Sequence, residues 1–358
     1  MATVVLAGGG TAGHIEPALA VGREWIKNHP ADKCIFLGTK SGLEVSLVPA
    51  AGFELNTIPR VRISRTPSAS WLRVPLDLFT SVLSSIKILR KADLLIGFGG
   101  YVSAPAYLAA AVTKTPIVIH EANAKPGWAN RLGARFTEHL AVAHAVEDGP
   151  FAEALLAGLP LRSDVANACV AIGSNWSKAR NDAKQRLGFP QDHPLVFIMG
   201  GSQGSAAINA VVAQSISIFT DNNLSVLHSV GKLNALPEAV GGYKPVSYVE
   251  AMADAYLAAD LIIGRSGAVT CSEFRALGRY ALFVPLPIGN GEQFVNAASL
   301  VEDGRAEVIS QAEFTPEFIS ARLPELLEKA SQAPVQGDSQ DIHSAEKIVA
   351  LAEFALKS

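Results

Sequence analysis

Cysteine is scarce. Cys34, Cys169 and Cys271 lie far apart in a chain of 358 residues and form no C-x-x-C pair. A disulfide framework or a thiolate zinc site is therefore not the organising feature, and a reducing compartment fits. Long apolar runs are missing too. No stretch approaches the roughly 18 apolar residues that cross a bilayer. No charged-then-apolar leader opens the chain, where residues 3–7 run straight into glycines. These absences predict a cytosolic location. Charge of one sign is lacking: 30 basic side chains against 33 acidic ones leave a net −3, which argues against nucleic acid as a partner. There is no D-x-D, hence no obvious metal clamp for a diphosphate. There is no G-x-x-x-x-G-K-[ST], which argues against a P-loop NTPase.

What is present is apolar bulk and glycine. Apolar residues make up 49% of the chain, enough for two cores at this length. Short apolar runs alternate with helical patterns, as in doubly wound α/β domains. In the first half the spacing predicts strands at 3–7, 34–37, 53–58, 94–97, 116–120 and 139–143, and a first helix at 15–29 with Pro17 in its first turn. Gly8, Gly10 and Gly13 match G-x-G-x-x-G between strand and helix. A dinucleotide site would need an acid closing the second strand, but that strand ends in Gly38-Thr39-Lys40. The turn with His14 suits a pyrophosphate or a hydroxyl better. His14, Tyr101, Ser103, Glu121 and Asn123 all fall at strand ends, where such folds bind ligands.

Residues 60–91 are basic: Arg60, Arg62, Arg65, Arg73, Lys87, Arg90 and Lys91 are set against the lone acid Asp77. Leu72, Leu76, Phe79, Leu83 and Ile86 recur at helical spacing after Trp71. Two readings stay open: a helix lying on an anionic membrane surface, or one packing its stripe on the sheet.

The pattern restarts after a crossing at 158–162 and a polar, irregular stretch at 163–193 that holds one helix near 176–187. Strands are expected at 195–199, 224–230 and 246–249, with helices at 206–219, 250–259 and, closing the chain, 341–356. The stretch 260–273 then reads as strand, glycine turn and helix, followed by a strand at 281–284. Such a turn aims backbone N–H groups and a helix dipole at one point, which suits a phosphate. Glu273 lies about 7 Å along the helix from Ala268, at about 1.5 Å per residue, within reach of a ribose. The rival reading is a capping box, with Thr270 as cap and Glu273 as its partner. Further on, Glu292, Gln293 and Asn296 open another helix and suit sugar hydroxyls.

Taken together these motifs resemble the MurG family of glycosyltransferases, which add N-acetylglucosamine to the undecaprenyl-pyrophosphoryl-muramyl-pentapeptide (lipid I) of peptidoglycan synthesis. The resemblance spans nearly the whole chain. It rests on Gly9-Gly10-Thr11-Ala12-Gly13-His14-Ile15-x-Pro17, Gly99-Gly100-Tyr101-Val102-Ser103-x-Pro105 and His120-Glu121-x-Asn123. In the second half it rests on Gly200-Gly201-Ser202-Gln203-Gly204, Arg265-Ser266-Gly267-Ala268-x-Thr270-x-Ser272-Glu273 and Gln293-x-x-Asn296.

It implies a GT-B fold, two Rossmann-like doubly wound parallel-sheet domains facing a cleft. Residues 1–158, with the helix 341–358 packing back, would form the acceptor and membrane-docking domain. Residues 159–340 would form the UDP-GlcNAc domain. By the same resemblance Ala268, Val269 and Thr270 hold the diphosphate, Glu273 the ribose and Val249 the uracil. Ser202 and Arg162 reach the phosphates, Glu292 and Gln293 the sugar, and Thr11, Ala12, Gly13 and Asn123 also face the donor. Thr11, His14, Tyr101, Ser103, Asn123 and Asn130 face the acceptor, with Glu121 on the same side. The implied partners are UDP-GlcNAc, lipid I and the anionic cytoplasmic face of the cell membrane, with the protein peripheral to it. No metal or cofactor is implied. The chain departs from the family where Glu292 replaces a glutamine, Leu159 an asparagine and Ala122 a glutamine.

For inverting transfer to the C4 hydroxyl of lipid I, giving β-1,4-linked lipid II, a group titrating near neutrality must take the hydroxyl proton. His14 is the leading candidate, Glu121 the reserve. The other reading of His14 is a ligand of the acceptor pyrophosphate or a helix cap. Two rivals share the fold plan: a non-hydrolysing UDP-GlcNAc epimerase, which needs no acceptor, and a non-catalytic nucleotide-sugar-binding protein.

Overall fold

The computed structural model describes residues 1–61, 74–287, 291–338 and 340–357. The chain divides into two compact units, Met1–Arg162 with Asp341–Ser358, and Ser163–Gln340.

The first unit runs β1 (Thr3–Ala7), α1 (Ala12–Asn28), β2 (Lys33–Gly38), α2 (Glu44–Ala50), β3 (Glu54–Thr57), α3 (Val74–Leu89), β4 (Leu94–Gly97), α4 (Ser103–Thr113), β5 (Ile117–Glu121), α5 (Trp128–Gly133), β6 (Leu140–Val142) and β7 (Leu155–Leu156). Its seven strands are all parallel, in the order β3-β2-β1-β4-β5-β6-β7. A parallel sheet is covered on both faces, and this is why β1, β4 and β5 are nearly unbroken apolar runs.

The second unit runs α6 (Ser163–Leu187), β8 (Leu195–Met199), α7 (Ala206–Gln214), α8 (Ile216–Asp221), β9 (Ser225–Ser229), β10 (Tyr243–Val246), α9 (Met252–Ala258), β11 (Leu261–Gly264), α10 (Ala268–Leu277), β12 (Ala281–Phe283), α11 (Glu292–Glu302), β13 (Ala306–Val308) and α12 (Pro316–Gln332). Its six parallel strands follow the order β10-β9-β8-β11-β12-β13. In each sheet the winding reverses beside the first strand, between β1 and β4 and between β8 and β11. Doubly wound sheets bind ligands at such switch points, off the carboxyl ends of the strands.

The final helix, α13 (Ser344–Lys357), belongs to the first unit. Ile348, Val349, Ala352 and Ala355 are buried in one core with Val4, Leu6, Trp25 and Ile96. Burying each of the larger of these side chains contributes about 1.5–3 kcal/mol. The two passages of the chain at the unit boundary are pinned together, since the Leu159 N–H donates to Asp341 Oδ1 at 3.0 Å.

Several elements differ from the sequence-based expectation. Helix α1 starts at Ala12, because Thr11 is already extended and its carbonyl accepts from His14 and Ile15 N–H. His14 therefore sits in the first turn of the helix. Pro17 lies in the helix interior, where it removes one backbone hydrogen bond. The stretch 163–175 is helical, and α6 is interrupted only at Asn175, which adopts φ −164° and ψ 98°. The helix expected at 206–219 breaks at Ser215, whose hydroxyl donates to the Val211 carbonyl. The strand expected at 246–249 is Tyr243–Val246, leaving Val249 in the following loop. The two-residue β7 escaped the sequence reading, as so short a run carries no period.

Candidate active site

In the second unit, β8 ends in a turn that only glycine permits. A Cβ on Gly200 would lie 2.2 Å from the Ser205 nitrogen, and one on Gly204, at φ +75°, 2.0 Å from the Val230 carbonyl oxygen. Ser205 then caps α7 by accepting from the Ile208 N–H at 3.3 Å. Ser202 sits half-buried within this turn.

Beside it, β11 runs into α10, which begins at Ala268 after Gly267 with no side-chain cap. The capping-box reading therefore fails. Thr270 is already inside the helix, and the Glu273 carboxylate points elsewhere: Glu273 is buried, and its Oε2 accepts from the Tyr256 hydroxyl at 2.8 Å. Tyr256 is itself locked edge-on against Phe274, ring centroids 5.1 Å apart. The start of α10 thus keeps the positive end of its dipole, its first amide nitrogen, that of Ala268, lying 3.3 Å from the Asn296 side-chain amide, with an oriented acid one and a half turns on.

Behind this turn lies a side chain to which the sequence reading gave no role. Arg265 is buried, and its guanidinium donates to four neutral oxygens: the Val284 and Pro285 carbonyls at 2.7 and 3.0 Å, and Ser205 Oγ and Gln311 Oε1, both at 2.7 Å. It ties the β8, β11 and β12 turns together. Burial pushes its pKa down, yet a guanidinium stays charged at neutral pH. The switch point therefore carries a fixed positive charge whose four hydrogen bonds go to neutral partners. Val249 is buried in the loop after β10. Glu292 and Gln293 open α11, and Gln293 Oε1 accepts from the Leu286 N–H at 2.9 Å. Its amide N–H₂ is what remains for a ligand.

In the first unit the switch point joins segment 8–14 to segment 97–103. His14 Nδ1 lies 3.1 Å from the Thr11 hydroxyl. Its ring packs against backbone: a Cβ on Gly100, at φ +80°, would sit 3.2 Å from Nδ1, and one on Gly99, at φ +88°, 3.4 Å from Cδ2. Burial lowers the His14 pKa, the charge of Glu121 and a hydrogen bond to Gly9 opposing it. A neutral imidazole at neutral pH follows, which is the form able to accept a proton.

Glu121 itself is saturated. Oε1 accepts from Asn123 N–H and Nδ2 at 2.9 and 3.0 Å, and Oε2 accepts from Gly127 N–H and Asn130 Nδ2, both at 2.9 Å. It organises the 121–130 segment. Asn130 is similarly engaged, accepting from the Tyr107 hydroxyl at 2.7 Å. The wholly buried Ser103 donates to the Ala7 and Gly99 carbonyls, each at 2.8 Å, bracing the two turns from below. Tyr101 and Asn123 are half-buried, and the Arg60 guanidinium lies 5.0 Å over the Tyr101 ring. Arg162 also belongs to this unit, its Nη1 3.7 Å from Glu16. Ala12 and Gly13 lie in the first turn of α1 with His14.

Of the basic region, Arg62, Arg65, Trp71, Leu72 and Arg73 lie outside the described residues. Within α3 the burial is inverted: Leu76, Phe79 and Leu83 are 63%, 60% and 44% exposed, while Ser81 and Ser85 face inward. The packed-stripe reading therefore does not hold for these three. Lys87, Arg90 and Lys91 are exposed at the end of the helix. No helix of the described residues is long and apolar enough to cross a membrane.

Two family patterns match the chain: the glycosyltransferase family 28 N-terminal domain over residues 4–142 and the family 28 C-terminal domain over residues 195–351. A Corynebacterium diphtheriae protein is 44% identical over 90% of this chain and 88% of its own length. It is named "UDP-N-acetylglucosamine--N-acetylmuramyl-(pentapeptide) pyrophosphoryl-undecaprenol N-acetylglucosamine transferase". The crystal structure of Acinetobacter baumannii MurG is 26% identical, with a TM-score of 0.67 over 99% of this chain and 100% of that one. A UDP-GlcNAc 2-epimerase from Neisseria meningitidis shares the fold at 15% identity, with a TM-score of 0.59 over 98% of this chain and 99% of that one.

Proposed function

Since the chain belongs to glycosyltransferase family 28 and, within it, to the MurG-type N-acetylglucosaminyltransferases, we propose that it moves N-acetylglucosamine from UDP-GlcNAc to the C4 hydroxyl of the muramyl sugar in lipid I. The product is the β-1,4-linked lipid II. The second unit holds the donor. One observation carries that assignment: α10 starts at a glycine turn with no cap from its own N-cap residue, three residues after the buried Arg265 and one and a half turns before an acid held by Tyr256.

The N–H groups of Ala268, Val269 and Thr270 take the diphosphate, and Ser202 adds to its grip. Glu273 accepts from the ribose hydroxyls, and Val249 lies along the uracil. Gln293 donates to the sugar, and Glu292 accepts from it. As the glycosidic bond breaks, negative charge grows on UDP, where the helix start and the Arg265 charge already point. Such preorganised stabilisation needs no rearrangement at the moment of reaction.

The first unit meets the acceptor. The neutral His14 imidazole takes the proton of the attacking hydroxyl, in keeping with its lowered pKa. Glu121, with four donors already bound, acts as the positioning residue for Asn123 and Asn130 and as the charge that tempers His14. Thr11, Ala12, Gly13, Tyr101 and Asn123 face the substrates, and Ser103 and Asn130 hold that surface in shape.

Because the acceptor is lipid-borne, the protein works peripherally at the cytoplasmic face of the cell membrane. The exposed Leu76, Phe79 and Leu83 enter the lipid interface, and Lys87, Arg90 and Lys91 meet anionic headgroups. Replacing Phe79 and Leu83 with aspartate should cut co-sedimentation with anionic vesicles at least about tenfold, given about 0.8 kcal/mol per buried methylene. Unchanged sedimentation would remove α3 from the docking surface. The deciding assay for the reaction is UDP release from UDP-GlcNAc with a lipid I analogue. Release only with the acceptor supports transfer. A new nucleotide sugar formed without acceptor would mean epimerisation.

A further inference from the structure

The first unit has a buried acid that the transfer chemistry does not use. Glu44, the first residue of α2, is 0% exposed. Its Oε2 accepts from the Gly10 N–H at 3.1 Å, and its Oε1 accepts from the Thr39 N–H at 2.8 Å and the Thr39 hydroxyl at 3.0 Å. These partners are two main-chain amides and an alcohol, with no cation among them. Glycines from two loops leave the carboxylate its room. A Cβ on Gly9 would sit 3.2 Å from Oε1, one on Gly38 2.5 Å from Cγ, and one on Gly42 1.9 Å from Oε2.

Converging amides in a glycine turn at a switch point are, in related architectures, a phosphate nest. Here the Gly10 amide of the turn and the Thr39 amide of the loop after β2 form the nest, and it already holds an anion supplied by the chain. The same carboxylate reaches the acceptor surface by two routes. Gly10, which it holds, is followed by Thr11, whose hydroxyl meets His14 Nδ1. Thr39, which it also holds, lies 3.4 Å from the Tyr101 hydroxyl through its Oγ1.

We propose that Glu44 is the anion around which the first glycine turn is built: it fills the amide nest, fixes the segment that carries His14, and keeps phosphate out of that nest. In consequence the turn meets the acceptor as an alcohol-binding surface, and the acceptor's pyrophosphate is held away from the Gly10 amide. Glu44 is thus a positioning residue, and only the identity of the substrate at this surface rests on the function proposed above.

The test compares E44A and E44Q with the wild type. Melting temperature in formate, against chloride at equal ionic strength, reads occupancy of the nest without substrate. E44A should melt lower than wild type, and formate should raise its melting temperature more than chloride does, as a ligand bound to the native state alone must. Wild type and E44Q, whose nest stays full, should show no such difference. UDP release with a lipid I analogue reads positioning. In both variants kcat should fall at least about tenfold while the donor KM stays within about twofold, as expected when geometry rather than donor binding is lost. Formate should restore turnover to E44A and not to E44Q.

Wild-type turnover in E44A or E44Q, or an equal formate response in wild type and E44A, would overturn the proposal. If E44A does not fold, the turnover of E44Q decides. If wild type releases no UDP at all, the transferase reading fails, and the melting comparison still decides whether Glu44 fills the nest.

Discussion

The two switch points are built on one plan and carry opposite charges. Each joins a glycine turn after the first strand of its sheet to a second glycine turn after the strand where the winding reverses. In the first unit the buried charge is the Glu44 carboxylate, which takes the Gly10 amide of the glycine turn and the Thr39 amide of the loop after β2. In the second unit it is the Arg265 guanidinium, which holds the surrounding loops by neutral oxygens, three residues before α10 begins. A helix start close to a buried positive charge attracts a diphosphate, and a glycine turn whose Gly10 amide is taken by a carboxylate disfavours one at that amide. Under the function proposed above, these two side chains divide one topology into a donor side and an acceptor side.

The comparison can be broken at several points, the largest effect coming first. Replacing His14 with alanine should lower kcat at least about a hundredfold, the usual range for loss of a general base. Near-normal UDP release would remove it from that role. The sign of the pH dependence follows from burial. With His14 as the proposed neutral base and its pKa lowered from 6.5, the acid limb of the rate profile should fall below that value. Replacing Glu121 with glutamine removes a charge that raises the His14 pKa, so the limb should move further toward acid. A limb that moves toward higher pH, or does not move, would contradict the coupling.

Replacing Arg265 with methionine keeps apolar bulk and deletes the charge. UDP affinity should fall roughly ten- to a hundredfold, in line with losing a buried charge-assisted network, while uridine affinity should hardly change. An equal loss for both would mean that Arg265 serves the fold rather than the diphosphate. The smallest effect is expected from Tyr256→Phe. Loss of one hydrogen bond to Glu273, worth about 1–1.5 kcal/mol, should raise the donor KM about five- to tenfold with kcat nearly constant. Discrimination between UDP and 2′-deoxy-UDP in competition should shrink with it. Retained discrimination would separate Tyr256 from ribose recognition.

Much of this was legible before any fold was built. Alternating apolar runs and glycine turns foretold parallel doubly wound sheets, because a strand buried on both faces must be apolar throughout. The turns themselves stood out because close backbone approach admits only glycine. Element ends were less legible. The start of α1 moved to Ala12 because a threonine carbonyl, not a side chain, receives the first helical N–H groups. Residues 163–175 looked irregular, yet all but Asn175 form the first half of α6. Thr270 and Glu273 spelled a capping box that the structure does not form, since Tyr256, 17 residues away in sequence, claims the carboxylate. The stripe on α3 had the period of a packed helix, but a period does not say which face meets the core, and here the serines do.

Sequence by itself determined the fold class, the positions of the glycine turns and the family, because all three rest on local patterns: period, turn chemistry and short motifs in fixed order. Tertiary structure decided which turn is filled and which is open. Glu44 lies 34 residues from Gly10, and Arg265 lies 60 from Ser205. A charge buried against partners so distant in the chain leaves no periodic signature. Its effect exists only once folding has taken it out of water and brought its hydrogen-bonding partners around it.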